Sequence, residues 1–171
     1  MSIRIATTAT RWRRIENAIA PFILREHDDG TISTDWMYSS TGESPGNEDT
    51  ELRPEIVDRL DRYFAGEVAI AFEDIESPGP SFHRACRDAC RRIPPGETMS
   101  YGELALHAGG RSGGARAAGQ AMRLNPLCVI IPCHRVVAAS GRLHGYGGDT
   151  DDQSEALRIK QALLEHERRN A

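Results

Sequence analysis

The segment IIPCHRVV, residues 130–137, sets a cysteine, a histidine and an arginine in succession behind an apolar run that stops at Pro132. A cysteine in that position can be an inert core atom, a redox group or a nucleophile. As a nucleophile it acts as the thiolate, which needs a positive neighbour, a helix N-terminus or a paired histidine. His134 follows Cys133 directly. Consecutive side chains of an extended segment point to opposite sides, so a turn or a water must bring the imidazole to the sulfur. A carboxylate orienting the histidine would complete a relay of the triad kind. Glu167 and Glu165, both near the end of the chain, are candidates that the sequence alone does not rank.

The other cysteines are Cys86, Cys90 and Cys128, and no zinc-type C-x-x-C spacing is present. His83, Cys86 and Cys90 share a helix face and could in principle hold a metal, but no fourth ligand accompanies them. Reduced cysteines commonly serve as small buried hydrophobes, and these two are read as core, with no metal expected. No window approaches the roughly 18 apolar residues of a membrane span, and the N-terminus lacks the apolar stretch of a signal peptide. A cytoplasmic protein with no membrane partner is expected, or a nuclear one in a eukaryote.

The elements that must position the cysteine can be read from periodicity and punctuation. The first 50 residues mix short β-type runs with turn signals such as HDDG and STGESPGNEDT. RPEIVDRLDRYFAGE reads as a helix, with Pro54 in its first turn, Ile56, Leu60 and Phe64 on one face and Gly66 at its end. ESPGPS, residues 76–81, is the best domain boundary, giving an α+β unit over 1–80 and a helical unit over 81–171. Beyond it Phe82, Cys86, Ala89, Cys90 and Ile93 form an apolar stripe beside an arginine stripe of Arg84, Arg87 and Arg91, and IPPG stops that helix. SYGELALHAGG opens on a capping box of Ser100 and Glu103. SGGARAAGQAMRLNP is a second short helix, with Ala115, Ala118 and Met122 on one face and Arg116, Gly119, Gln120 and Arg123 on the other. Two short helices joined by a Gly-rich turn read as helix-turn-helix, and small residues between arginines let the second helix approach a nucleic acid closely. LCVII, residues 127–131 between two prolines, reads as a buried strand delivering Cys133 at its end. EALRIKQALLEHE closes the chain as a helix with Ile159 and Leu163 inward.

Charge is distributed unevenly around a net −4. Residues 1–80 carry 8 basic and 16 acidic side chains, residues 81–125 carry 7 arginines against 3 acids, and residues 126–171 carry 6 of each sign. A local basic field in an acidic protein suits a phosphate-binding surface, because salt screening confines the interaction to nearby charges. A solvated arginine face is the alternative.

NPLCVIIPCHRVV, with SYGELA and GARAAGQAMR upstream and GYGG downstream, resembles the O6-alkylguanine-DNA alkyltransferase family, the methylated-DNA–protein-cysteine methyltransferases. The resemblance runs from about Phe82 to Glu167. It implies an α+β fold: a small N-terminal α/β domain of ribonuclease H-like type, then a winged helix-turn-helix-like DNA-binding domain. It implies that Cys133 takes the alkyl group from guanine O6 once and keeps it as a thioether. His134 would act as base through a water, Glu167 would orient it, and Asn125 would brace the adjoining turn. Tyr101 would contact the flipped nucleotide or its phosphate, and Arg116 would enter the duplex in place of the flipped base. Gly119, Gln120 and Arg123 share the DNA-facing side with Arg116. Met122, Cys128, Tyr146 and the backbone of Gly147 would line the pocket, and Arg135 would anchor the loop by ion pairing. The partner would be double-stranded DNA bound mainly through the minor groove by a monomer, with no cofactor.

Three features depart from the family pattern. Cys86 and Arg87 stand where a Val-Trp pair is usual, Cys128 places a second thiol on the pocket wall, and DTDDQSE, residues 149–155, resembles an acidic insertion. That segment reads as a solvated loop tip. Two other functions compete. A non-catalytic sensor of alkylated DNA would replace the reactive cysteine, which is present here. A hydrolytic or redox cysteine enzyme would not need the helix-turn-helix, and a redox one would want a resolving thiol in C-x-x-C spacing.

Overall fold

A computed structural model describes residues 9–38, 46–143, 145–146 and 153–171. The N-terminal half builds a four-stranded sheet from β1 (Ala9–Ile15), β2 (Phe22–His27), β3 (Ile32–Trp36) and β4 (Asn47–Glu48), in the order β3-β2-β1-β4. β1–β2 and β2–β3 are antiparallel, whereas β4 runs parallel to β1. The HDDG signal is the β2–β3 hairpin turn. Gly30 adopts φ +78° there, a left-handed conformation that costs glycine nothing.

Helix α1 (Pro54–Phe64) starts on its proline and buries Ile56, Val57, Leu60 and Tyr63. Phe64 is half-buried and meets Phe22 and Trp36 edge-on, with ring centroids 5.5 and 6.0 Å away. This cluster seats α1 on the sheet. Glu26 on β2 receives Arg11 and Arg53, which ties two strands to the start of α1.

The C-terminal half contains α2 (Ser81–Arg91), β5 (Met99–Ser100), α3 (Tyr101–His107), α4 (Ala115–Arg123), β6 (Val136–Val137) and α5 (Glu155–Asn170). Helix α2 buries Cys86, Ala89 and Cys90, as its apolar stripe requires. The arginine stripe beside it is not a free basic face. Arg84 is exposed, but Arg87 is buried: Nη1 donates to the Pro78 carbonyl, and Nη2 donates to that of Leu124 at 2.6 Å. Arg91 donates to the carbonyls of Phe72 and Ile75 at 2.7 and 2.6 Å. Both guanidiniums therefore fasten the segment before α2 onto the helix, satisfying carbonyls that irregular backbone leaves unpaired.

The capping box at the start of α3 is formed, with Glu103 N–H donating to Ser100 Oγ and Ser100 N–H donating to Glu103 Oε2. On α4, Ala118, Ala121 and Met122 are buried, while Ala115, expected on that face, is exposed. β5 pairs in parallel with β6, which couples the start of α3 to the chain just past Cys133. Ser154, at the end of the acidic stretch, caps α5 by accepting from Leu157 N–H, and Glu155 lies in its first turn. Residues 149–152 lie outside the described residues.

One apolar core draws on both sides of the 76–81 segment, from Ile15, Phe22 and Leu60 to Leu104, Ile131 and Leu163. Thr34 on β3 bridges to Leu127, and its N–H donates to the Pro126 carbonyl at 2.8 Å. Among the described residues no helix is long and apolar enough to cross a membrane.

Candidate active site

The segment expected as a strand before Cys133 is a tight turn. Leu127, Cys128 and Ile131 make single bridges only, and Ile131 N–H donates back to the Leu127 carbonyl at 2.7 Å. Val129 takes φ +70°, a region that β-branched side chains rarely adopt, so the reversal holds local strain. Asn125 spans it. Its Nδ2 donates to the Ile131 carbonyl at 2.9 Å, and its Oδ1 accepts from Leu127 N–H at 3.1 Å. Cys133 N–H donates to the same Ile131 carbonyl at 2.7 Å, so the Cys133 backbone and the asparagine share one acceptor.

Cys133, His134 and Arg135 form a single 3-10 turn. Its three residues per turn set neighbouring side chains about 120° apart, so Cys133 and His134 are not forced onto opposite faces as a strand would require. Cys133 retains 8% exposure and His134 none.

His134 Nε2 lies 2.8 Å from Glu167 Oε1. Arg135 Nε donates to Glu167 Oε2 at 2.9 Å and Nη2 to Oε1 at 2.8 Å, while Nη1 donates to the Ile93 carbonyl. Tyr63 Oη donates to Oε1 at 2.7 Å, and Gly96 N–H to Oε2 at 3.0 Å. Glu165 is exposed and accepts from Gln161, so of the two candidate carboxylates only Glu167 meets the histidine. Burial raises the proton affinity of Glu167, but hydrogen bonds from His134 and Arg135 and the charge of Arg135 outweigh it and hold the carboxyl well below its ordinary range. Burial also lowers His134, against the opposing pull of Glu167, so the imidazole is held neutral. A neutral ring facing a carboxylate through Nε2 carries its proton there, which leaves Nδ1 as the basic nitrogen. Nδ1 is buried and accepts from no described residue.

Burial raises the Cys133 thiol, while a hydrogen bond from Asn125 and the charge of Lys160 act to lower it. Lys160 was not anticipated. It is fully buried on α5, donates from Nζ to the Val136 carbonyl at 2.7 Å and the Gly145 carbonyl at 3.3 Å, and lies 5.9 Å from the Tyr101 ring. Burial brings its ammonium down to about 8. A clue was present in the sequence, since Lys160 lies within the apolar stripe of Ala156, Leu163 and Leu164. Tyr63 was missed for the opposite reason: it continues the stripe of α1 and reads as core.

The expected DNA-facing residues share one side of α4. Arg116, Gln120 and Arg123 are exposed with Gly119 between them, half-exposed. A Cβ on Gly119 would come 3.8 Å from the Tyr101 ring, which packs across α3 and α4. Of the expected pocket residues, Met122 is buried in the core. Tyr146 is buried too, and its hydroxyl accepts from Trp36 Nε1 at 3.1 Å. Cys128 is held by Thr34, whose Oγ1 donates to its carbonyl at 2.8 Å and whose carbonyl accepts from Sγ at 3.3 Å. Gly147 lies outside the described residues.

The family model of the 6-O-methylguanine DNA methyltransferase DNA-binding domain matches residues 81–169. The chain belongs to this family. Its relatives include the methylated-DNA--protein-cysteine methyltransferases of Mycobacterium tuberculosis, 37% identical over 94% of this chain and 93% of that protein, and of Mycobacterium leprae, 40% identical over 91% of each. Among solved structures, Mycobacterium tuberculosis OGT in complex with DNA superimposes with a TM-score of 0.76 at 35% identity, covering 95% of both chains. The family resemblance at Cys133 thus extends through the N-terminal half.

Proposed function

We propose that this protein repairs alkylated DNA by moving the alkyl group from guanine O6 to Cys133, once per molecule. The observation that carries the reading is the 3-10 turn Cys133–Arg135, in which a buried His134 directly after the cysteine meets Glu167 at 2.8 Å. The thiol proton passes through a water to His134 Nδ1. Sγ then attacks the alkyl carbon as the C–O6 bond breaks, and the electron pair of that bond stays on the guanine, which takes up the proton that the thiol gave to the relay. Asn125 and Lys160 favour the thiolate that this step consumes. Thiol, alkyl carbon and base complete the displacement, so no cofactor enters. The product is a thioether, from which water cannot displace the alkyl group, so the protein is spent.

The alkylated oxygen lies inside the base stack and the nucleotide must be extruded, at a cost the weakened pairing of the adduct reduces. Helices α3 and α4 act as a winged helix-turn-helix that enters the minor groove, with Arg116 filling the stack and Tyr101 against the flipped nucleotide. Gly119, Gln120 and Arg123 follow the backbone. Met122, Cys128, Tyr146 and Gly147 enclose the base, Gly147 donating to O6. Outside the flipped nucleotide this docking reads no base edge, as suits a protein that scans any sequence. The ribonuclease H-like half over 1–80 packs behind the DNA-binding half over 81–171. The protein works as a monomer in the cytoplasm, or in the nucleus of a eukaryote. Mycobacterium tuberculosis OGT, solved in complex with DNA, supports DNA as the partner.

The test is Cys133→Ala. Expected are undiminished binding to a duplex containing O6-methylguanine and complete loss of methyl transfer. Transfer that survives would place the nucleophile elsewhere, and loss of binding as well would make the cysteine structural.

A further inference from the structure

We infer that Tyr63 is a positioning residue of the alkyl-transfer centre: by donating to the same Glu167 oxygen that faces His134, it limits the carboxylate's pull on the imidazole and keeps the base unprotonated. The inference rests on the proposed relay and extends it to the N-terminal half of the chain.

The geometry is specific. Tyr63 lies in the last turn of α1, 104 residues from Glu167 in sequence, and is 2% exposed. Glu167 Oε1 accepts from Tyr63 Oη at 2.7 Å, from Arg135 Nη2 at 2.8 Å and meets His134 Nε2 at 2.8 Å. One carboxylate oxygen has lone-pair directions for about two strong donors, so three donors share its charge. Arg135 is the ion-pair partner and anchors the turn. Tyr63 is the neutral donor besides the imidazole itself, and its phenol is held protonated, first by burial and then by the adjacent Glu167 charge. Each donor that stabilises the carboxylate leaves less of its charge to stabilise an imidazolium. Without Tyr63, Glu167 would hold His134 protonated to higher pH, and a protonated imidazole cannot accept the thiol proton.

The surrounding groups do not substitute for this donor. His134 feels Glu167, Arg135 and Lys160, and the two cations already disfavour its protonation. Glu167 otherwise receives only Arg135, His134 and the Gly96 N–H among the described residues. Tyr63 is itself held by α5, since His166 Nε2 lies 2.8 Å from its carbonyl and the two rings are 5.5 Å apart. The phenol is therefore fixed on the carboxylate from two elements.

A structural role alone, satisfying a buried carboxylate, would give stability without tuning the base. Single-turnover methyl transfer from an O6-methylguanine duplex, followed from acid to neutral pH on the full chain, separates the two. In Tyr63→Phe the acidic limb is expected to move up by about half to one pH unit. With 3,5-difluorotyrosine at position 63, a stronger donor of nearly the same shape, it should move down. His134→Gln is the reference and should lose the limb. Unmoved limbs in the fluorinated protein, with the limb absent in His134→Gln, would overturn the role of Tyr63 and leave the relay intact. A limb that persists in His134→Gln would overturn the relay and this inference with it.

Discussion

Glu167 and His134 meet at 2.8 Å although 33 residues separate them, and the carboxylate that orients the imidazole is also the counter-ion of Arg135. One buried side chain thus serves both the proposed chemistry and the anchoring of the reactive turn. Glu167→Gln removes the charge and leaves the buried Arg135 guanidinium without its counter-ion. Breaking a buried pair from one side costs about 3–5 kcal/mol. A loss of that size in denaturant unfolding is expected, together with transfer slowed by about a hundredfold or more. A variant of ordinary stability would show that water or Ile93 compensates Arg135.

The pH dependence of stability has a fixed sign. Burial holds His134 below its ordinary 6.5, so the unfolded chain takes up that proton first and stability falls as pH drops below about 6.5. Glu167 is held below its ordinary 4.5 by His134 and Arg135 despite burial, and its contribution is lost as pH falls from about 4.5 towards its lower folded value. Denaturant midpoints measured through this range should decline in two stages. His134→Gln should remove the upper stage and leave the lower.

Asn125 fastens both ends of the turn before Cys133. Asn125→Ala orphans the buried Leu127 N–H, worth about 1–3 kcal/mol if no water replaces the partner, and leaves the Ile131 carbonyl with Cys133 N–H alone. It also removes a hydrogen bond that favours the Cys133 thiolate. Reduced stability should therefore accompany slower alkylation of Cys133 by iodoacetamide near neutral pH. Slower alkylation that vanishes at high pH would mark the thiolate effect.

Gly119 lies between Arg116 and Arg123 with room for a methyl group, since a Cβ there meets Tyr101 only at ordinary contact distance. Gly119→Ala should raise stability by about 0.5–1 kcal/mol through helix propensity while weakening duplex binding, because the helix can no longer approach as closely. Equal or tighter binding would mean that this face does not meet DNA.

Arg116 is exposed on that same face. If it replaces the flipped base, Arg116→Ala should slow transfer from duplex more than from single-stranded substrate. If instead it contacts a phosphate, the salt dependence of binding should weaken by about one ion.

Much of this arrangement was legible from local signals. The proline start of α1, the capping box of α3 and the apolar stripes of α2 and α5 each rest on chemistry within a few residues, and each element forms there. LCVII misled because its composition favours a strand, whereas Asn125 and the flanking prolines hold it as a turn through a left-handed Val129. No residue preference announces that conformation in valine. Arg87 and Arg91 read as a basic face because their acceptors are backbone carbonyls, which no sequence displays. Tyr63 and Glu167 meet only through the tertiary fold, so the donor was invisible while the carboxylate could be narrowed to two.

The most direct measurement is the intact mass of the protein after incubation with excess duplex carrying O6-methylguanine, followed by peptide mapping. Gain of a single methylene mass, on Cys133 alone and saturating at one per molecule, is the expected result. An unchanged mass despite tight binding to the lesion, or repeated release of methyl product by one molecule, would contradict stoichiometric transfer to Cys133.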